Sequence, residues 1–445
     1  MKVALSIAGS DPSGGAGIQT DLKSFTTLGI HGTTIITCIT VQNTSRVNNI
    51  LKLPAEIVGE QIDAVFEDIK PDAVKTGMLY DIDIVDIVSK KIKKYDMKPV
   101  VDPVMVATSG DSLSKKDFVD ILKKKIIPKS YILTPNIEES EILTKIKIKN
   151  IDDIKESCGK IYDMGAENVI IKGGHFKGEK VVDVFYDGKK FDFFTLPRIP
   201  DKKAHGSGCT LSSLITGYLA KKEKPVDAVR KSKIVLWNMI DEGYNVGKGS
   251  DVLNNYYTSY SKIPHSIIDE ESFKTWYDLK KSVDKILDVL SNNYIAEVGM
   301  NFAYAKPDAI SYRDICAING RVVKTNHGPK LCGSIDFGAS KHVASIVLAV
   351  MSFNKDYRSA INIKYSDELV EKIKKKGFKI GFFDREYEPK NIESTMEWGT
   401  KKSVRDLGEI PDFIYDKGDI GKEPMIRIIG KKPDEIVKKI KDILI

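Results

Sequence analysis

The first 250 residues alternate short apolar runs with helix-length amphipathic stretches, and this alternation restricts the fold more than any other feature. Lys2–Ala8 is a short apolar run. The glycine-rich segment Gly9–Gly17 follows, then Ile18–Leu28 with helical spacing, then the β-branched run Thr33–Val41. That is a β-α-β unit. Further short runs recur at Ala73–Lys75, Pro99–Asp102, Tyr131–Thr134 and Val169–Lys172, separated by helical stretches. The pattern predicts an α/β fold with a mostly parallel sheet sandwiched by helices. One hairpin is expected within it. Val181–Tyr186 and Phe191–Leu196 flank Asp187-Gly188, a tight-turn pair.

The chain has 445 residues, enough for two or three domains. Hydrophobic residues make up 42% and charged residues 29%, which suits ordinary packed cores and argues against disorder. Periodicity fades over Asn245–Glu271, which carries Gly247, Gly249, Asn254, Asn255 and Pro264. A linker is expected at 259–270, dividing one domain at 1–258 from another at 271–445. Beyond it Phe273, Trp276, Leu279, Val283, Ile286, Leu287 and Leu290 recur at three- and four-residue intervals, as on an amphipathic helix. A second α/β domain then runs to a Lys-rich helix at Asp434–Leu444.

The net charge of +7 is small against 69 basic and 62 acidic side chains. The basic residues lie in mixed patches such as Lys372–Lys376, behind Glu368 and Glu371, and read as solvated helix faces. No basic stripe interleaved with aromatics points to nucleic acid. The cysteines at 38, 158, 209, 316 and 332 form no C-x-x-C pair, and such a scattered set suggests a reducing compartment, the cytoplasm. Met1–Leu5 runs straight into the first strand, without a signal-peptide pattern. The longest apolar stretch, Val343–Met351, is far short of the ~20 residues that span a bilayer, and reads as a buried helix.

Gly9–Gly17 lies between a strand and a helix, where glycines let a backbone approach a ligand closely. It is not a P-loop, because Gly15 rather than Lys follows Gly14. It is not a dinucleotide fingerprint either, because Thr20 stands where a small residue is needed. A plain tight turn remains the simplest structural reading of the loop. A second glycine run, Gly206-Ser207-Gly208-Cys209, opens the helix-like Thr210–Leu219. Unpaired N–H groups and the positive end of the helix dipole make such a start an anion site for a transferring phosphate. Asp102, Asn136 and Glu139 follow strands on one edge of the sheet, and oxygen ligands of this kind suit Mg²⁺.

Taken together, Ala8–Asp21, Val41–Thr44, Lys75–Leu79, Asp102–Met105, Thr134–Asn136, Lys172–His175 and Gly206–Cys209 resemble hydroxymethylpyrimidine and hydroxymethylpyrimidine-phosphate kinases of the ribokinase-like fold. The resemblance covers about residues 1–255, with the motifs in the family's order. It implies a pyrimidine pocket of Gly9, Asp21, Gln42, Met78, Val104 and Cys209. It implies ATP and Mg²⁺ on Asp102, Asn136, Glu139 and Lys172, and phosphate on Gly206, Ser207 and Gly208. The family usually has Thr where Ser207 stands. Cys209 occupies the position where related sugar kinases have an Asp base. A helix N-terminus can lower a thiol pKa, so Cys209 is either a base or part of the pocket wall. A kinase for pyridoxal-type substrates is opposed by Gln42, Met78 and Cys209.

In the second half Glu297–Asn301, Asn319–Val322, Phe337–His342 and Gly418–Pro424 resemble the archaeal-type thiamine-phosphate synthase domain. The resemblance implies condensation of the pyrimidine diphosphate with thiazole phosphate and release of pyrophosphate. Arg321 would serve as a planar phosphate donor, and His342 as a phosphate ligand or proton carrier. Gly338, Ser340 and Lys341 would bind phosphate at the next helix start. The competing reading is a thiamine-phosphate sensor. No helix-turn-helix segment stands between the halves, and the attached kinase makes the domain's substrate, which favours the enzyme. Only small-molecule partners and self-association as a dimer are expected.

Overall fold

The computed structural model describes residues 1–105, 116–174, 178–200, 204–255, 266–267, 269–389, 392 and 394–444. The chain divides into two compact units, Met1–Thr258 and Ser259–Ile445. Most of the expected linker, 259–265 and 268, lies outside the described residues. So does His175 of the kinase-like set.

In the first unit the strands are Val3–Ser10 (β1), His31–Gln42 (β2), Val47–Lys52 (β3), Ala73–Thr76 (β4), Val100–Val101 (β5), Ile132–Leu133 (β6), Val169–Ile171 (β7), Lys180–Tyr186 (β8) and Phe191–Pro197 (β9). They form one sheet in the order β3-β2-β1-β4-β5-β6-β7-β8-β9. Strands β2 to β7 run parallel along that order through β1, and β3, β8 and β9 join as antiparallel edges. The hairpin expected around Asp187-Gly188 is β8–β9, with Tyr186 opposite Phe191. The edge strand β3 escapes the sequence reading, because Asn48 and Asn49 mask its short apolar pattern.

Period-two alternation sends side chains to two cores. Leu5, Ile7, Val101, Leu133, Val169 and Ile171 meet the helices Ala55–Asp68 (α2), Ile82–Lys94 (α3), Lys116–Lys125 (α4), Ile137–Thr144 (α5) and Ile151–Asp163 (α6). Their neighbours Val100, Ile132 and Ile170 point the other way, to Ser207–Ala220 (α7) and Pro225–Asp241 (α8). Gly17–Thr27 (α1) packs on that second face through Phe25. The short parallel pair Ala204–His205 (β10) and Asp251–Val252 (β11) leads into α7 and out of α8.

The second unit begins with Glu270–Val289 (α9), capped by the Asp269 carboxylate on Ser272 N. Phe273, Trp276, Leu279, Val283 and Ile286 are its buried stripe, as their spacing predicts. The strands are Phe302–Ala305 (β12), Ile315–Ile318 (β13), Arg321–Thr325 (β14), Gly328–Cys332 (β15), Ile335–Phe337 (β16), Ser359–Lys364 (β17), Ile380–Phe382 (β18), Phe413–Asp416 (β19) and Met425–Gly430 (β20). The main sheet runs β16-β13-β12-β17-β20-β19-β18, and β14–β15 is a separate hairpin. All neighbours in the main sheet are antiparallel except β18 and β19. Lys341–Met351 (α10) and Thr395–Leu407 (α12) cover the face that carries Ala303, Ala360, Ile414 and Ile429. Asp367–Lys375 (α11) and Pro433–Leu444 (α13) complete the unit. No described helix is long and apolar enough to cross a membrane.

Candidate active sites

The carboxyl ends of β1, β2, β4, β5, β6 and β7 open on one cavity of about 510 Å³. Strand order fixes the sequence of groups along it. Gln42 leaves β2, Gly9 ends β1, Met78 follows β4, Asp102 and Val104 follow β5, Asn136 follows β6 and Lys172 follows β7. Gly206–Cys209, at the start of α7, line the same cavity. Gly206 adopts φ +79°, and a Cβ there would overlap the Gly15 carbonyl oxygen. The two glycine runs, 190 residues apart in sequence, therefore press backbone on backbone and only glycine fits.

Lys172 Nζ lies 3.1 Å from Asp102 Oδ1 and 4.0 Å from Glu139 Oε2. Both carboxylates raise the Lys172 pKa against the opposing effect of burial. Burial pushes Glu139 up to about 7, with Lys172 pulling it down and Asp102 pushing it further up. Asn136 and Glu139 form a capping box on α5: Glu139 N donates to Asn136 Oδ1 at 2.8 Å, and Asn136 N donates to Glu139 Oε2 at 2.7 Å. The box fixes both side chains at the cavity wall.

One expectation needs correction and one open alternative narrows. Asp21 does not line the cavity. It is fully buried beneath it, taking Lys75 Nζ at 2.6 Å and the hydroxyls of Ser6 and Ser213 at 2.5 Å each. Lys75 Nζ also donates to the Cys209 carbonyl at 3.2 Å, so this network props the start of α7 from below. The Cys209 thiol is not depressed at its helix start. Burial pushes it up to about 12, outweighing the nearby Lys75 charge. A thiol raised by burial favours the pocket wall over the base for Cys209.

The cavity also holds residues that the sequence reading missed. Asp11 accepts from Ser13 N, Ser13 Oγ and Ala16 N at 2.7–2.9 Å. Burial opposes its ionisation, but bonds from His205 and Ser13 bring its pKa below the ordinary value. His205 Nε2 stands 3.3 Å from Asp11 Oδ2 and 3.0 Å from Gln42 Nε2. One ring nitrogen cannot accept from Gln42 and donate to Asp11 together. With Nε2 protonated and donating to Asp11, the amide oxygen of Gln42 rather than its NH₂ is the group suited to face the ring. Beyond Lys172, Lys233 pairs with Asp183 at 2.7 Å on the cavity wall. Nothing in the local spacing marks these pairs, since their partners are 50 to 194 residues apart.

In the second unit a polar row borders the α10 side of the sheet. Ile429, Ala360 and Ala303 pair across β20, β17 and β12 within the apolar core. Two residues along the same face stand Arg427, Asn362 and Asn301, all buried. Asp416 takes Arg427 Nη1 at 2.5 Å and Arg385 Nε at 2.7 Å. The Arg427 guanidinium lies 5.2 Å over the Phe383 ring. His342 occupies the first turn of α10. Desolvation, then the charges of Arg427, Arg385 and Arg321, push the imidazole down to about 4. The ring is therefore neutral at physiological pH.

Arg321 opens β14 and donates through Nη1 to the Val298 carbonyl. Gly299, at φ +83°, makes room for it, since a Cβ would meet Arg321 Cδ at 2.9 Å. Glu423 braces that turn by accepting from Glu297 N and Val298 N at 2.9 and 3.0 Å. Ser340 is the N-cap of α10, and its side chain makes no cap hydrogen bond. Gly338 N donates to the Ile315 carbonyl at 3.0 Å. Lys341 directs Nζ over the Tyr312 ring at 5.1 Å. Arg385, Asp416 and Arg427 were missed, although a charge inside the apolar run Met425–Gly430 is a legible sign of an inward ion.

Comparison with known proteins divides the chain the same way. Residues 11–254 match the phosphomethylpyrimidine kinase family, and residues 278–442 match the family of the thiamine-phosphate synthase ThiN. The bifunctional thiamine biosynthesis protein ThiDN of Methanocaldococcus jannaschii is 36% identical over 98% of this chain and 97% of its own length. The hydroxymethylpyrimidine/phosphomethylpyrimidine kinase of Bacillus subtilis is 41% identical over 57% of this chain and 94% of its own. The pyridoxal kinase of Staphylococcus aureus, solved with AMP-PCP and pyridoxal, superposes with a TM-score of 0.54 at 32% identity, covering 59% of this chain and 96% of that one.

Proposed function

Because this chain belongs to the family of bifunctional thiamine biosynthesis proteins that join a phosphomethylpyrimidine kinase to a ThiN-type synthase, we propose that it runs two successive steps on two separate sets of residues. The first unit phosphorylates hydroxymethylpyrimidine and its monophosphate with ATP. The second condenses the diphosphate with thiazole phosphate, giving thiamine phosphate and pyrophosphate. The continuous cavity from Gln42 to Lys172 carries the kinase assignment, because it brings a flat-ring pocket and an anion site into one space.

In this reading Gly9, Met78 and Val104 hold the pyrimidine ring, and the Gln42 amide, oriented by His205, reads its nitrogens. The N–H groups of Gly206, Ser207 and Gly208 and the Lys172 ammonium stabilise the transferring phosphoryl group, whose transition state spreads negative charge over its oxygens. Asn136 lies on the nucleotide side. Asp102 and Glu139 fit Mg²⁺, which needs only one or two carboxylates beside phosphate oxygens. Glu139, held near 7 by burial, lacks the positive charge that such an ion would add. The ion would neutralise the nucleotide phosphates. Cys209 contributes pocket wall, and a loose phosphoryl transition state asks little of a base.

In the second unit the bond from the pyrimidine methylene to the diphosphate oxygen breaks, and its electron pair leaves with pyrophosphate. The thiazole nitrogen supplies the pair for the new C–N bond. That nitrogen carries no hydrogen, so no base is required, and neutral His342 serves as a hydrogen-bond donor. Arg321 neutralises the departing charge. Incubating the chain with hydroxymethylpyrimidine, ATP, Mg²⁺ and thiazole phosphate should yield thiamine phosphate and pyrophosphate. Accumulation of the pyrimidine diphosphate alone would remove the synthase assignment.

A further inference from the structure

Arg427 is fully buried, yet its Nε and Nη2 have no hydrogen-bond partner among the described residues. Nη1 is occupied by Asp416 and by the Met425 carbonyl at 3.2 Å. What remains open is the Nε–Nη2 edge, the two parallel donors that match two oxygens of a phosphate or carboxylate. Leaving two buried guanidinium donors unmade costs several kcal/mol, so a fold keeps them only where something accepts from them. Asp416 fixes the plane of the guanidinium, and the Phe383 ring lies 5.2 Å beneath it. Arg385 adds a second buried cation, so this cluster of two arginines and one aspartate keeps a net positive charge. The cluster lies on the face covered by α10, whose N-terminal N–H groups donate no hydrogen bond to the Ser340 side chain.

We infer that Arg427 is a phosphoryl clamp of the second unit, presenting its Nε–Nη2 edge to a phosphoryl group bound beside His342 and the start of α10. The inference rests on the synthase reading for the identity of that group. The same chemistry is offered by the diphosphate of one substrate and by the phosphate of the thiazole. Arg427 lies on the sheet face that α10 covers, His342 stands in the first turn of that helix, and the Arg427 charge opposes protonation of His342.

The test uses the full chain and two variants. Arg427→Lys keeps a charge opposite Asp416 but loses the planar fork, and Arg427→Met loses both. Calorimetric titrations with inorganic pyrophosphate and with thiazole phosphate are run separately. One of the two ligands should bind about tenfold more weakly to Arg427→Lys and about a hundredfold more weakly to Arg427→Met, as expected for losing a bidentate charged contact. The ligand that weakens names the phosphoryl group. Circular dichroism and undiminished kinase activity report that the variants are folded. Crystals of the wild-type chain soaked with each ligand give a readout that needs no variant: phosphoryl oxygens within hydrogen-bond distance of Nε and Nη2. Unchanged affinity for both ligands in folded variants, or a bound phosphoryl group remote from Arg427, overturns the clamp. If the chain makes no thiamine phosphate but Arg427→Lys still weakens pyrophosphate, the synthase reading fails and the clamp stands. If Arg427→Lys makes thiamine phosphate with wild-type KM values, the reverse holds.

Discussion

Lys172 Nζ lies 3.1 Å from Asp102 Oδ1, and the two side chains stand at the ends of β7 and β5, one strand apart in the sheet. The ammonium is held by carboxylates on the sheet side and faces the start of α7 on the other. It is therefore placed to meet negative charge as it develops in transfer. Lys172→Ala should lower the phosphorylation kcat roughly a hundredfold, the scale for removing one preorganised charge from a transition-state oxyanion. Single-turnover phosphorylation measures it. A change confined to the pyrimidine KM would remove Lys172 from the transfer step.

Burial raises the Cys209 thiol to about 12 against the lowering charge of Lys75, which favours a protonated pocket-wall thiol. Cys209→Ser should therefore keep kcat within about tenfold of wild type, since general-base removal typically costs 10²–10⁴. Its pH profile should keep the wild-type shape. A fall of a thousandfold in kcat would restore the base role.

Asp21 and Lys75 are a fully buried pair. Asp21→Ala strands the Lys75 ammonium without its counter-charge and should cost about 3–5 kcal/mol of stability. Urea unfolding of the first unit reads this. The molecules that remain folded should bind pyrimidine with an unchanged KM, because Asp21 lies beneath the cavity and not on its wall. A raised KM in a variant of normal stability would return Asp21 to the pocket.

The distribution of these roles explains what sequence could and could not carry. The loop Gly9–Gly17 and the run Gly206–Cys209 were legible because backbone pressed on backbone needs glycine, and glycine is visible residue by residue. The period-two and period-3.6 patterns likewise gave the parallel sheet and α9. Asp21 was misplaced because the start of a helix gives no sign of which face its fifth residue presents. Only the fold brings Lys75, 54 residues on, to its carboxylate. Gln42 was found, but its orienting partner His205 was not, because pairings across 163 residues leave no local period. In the second unit Arg427 was legible as a charge inside the apolar run Met425–Gly430, but its partners Arg385 and Asp416, brought to it by the sheet, were not.

Glu139 gives the kinase a pH signature. Its ordinary value is 4.5, and burial raises it to about 7 in the folded chain. The folded state then binds a proton that the unfolded state has released. This stabilising difference is full below about 4.5 and is lost as pH rises to about 7. The free chain should accordingly lose stability over that window, and Glu139→Gln should flatten the loss. Mg²⁺ with nucleotide should shift the same ionisation downward, because it favours the charged carboxylate. Thermal unfolding of wild type and Glu139→Gln across pH 4.5–7.5, with and without Mg-nucleotide, separates the cases. Parallel curves for the two proteins would exclude Glu139 as the titrating group.

His342 has the opposite sign. Its ordinary value is 6.5, and desolvation with the charges of three arginines lowers it to about 4. The unfolded chain takes up a proton between those values that the folded chain refuses. Stability from this residue is present above 6.5 and is lost as pH falls towards 4. An anion that neutralises the arginines should raise the value again, since their charges are what oppose protonation. Pyrophosphate binding should therefore favour protonation of His342 near pH 5 and leave it neutral near pH 8. In histidine proton spectra the His342 resonance, assigned by its disappearance in His342→Gln, should titrate below 5 in the free chain and higher with pyrophosphate bound. A titration near 6.5 that ignores pyrophosphate would separate His342 from the arginine cluster and from any phosphoryl group bound there.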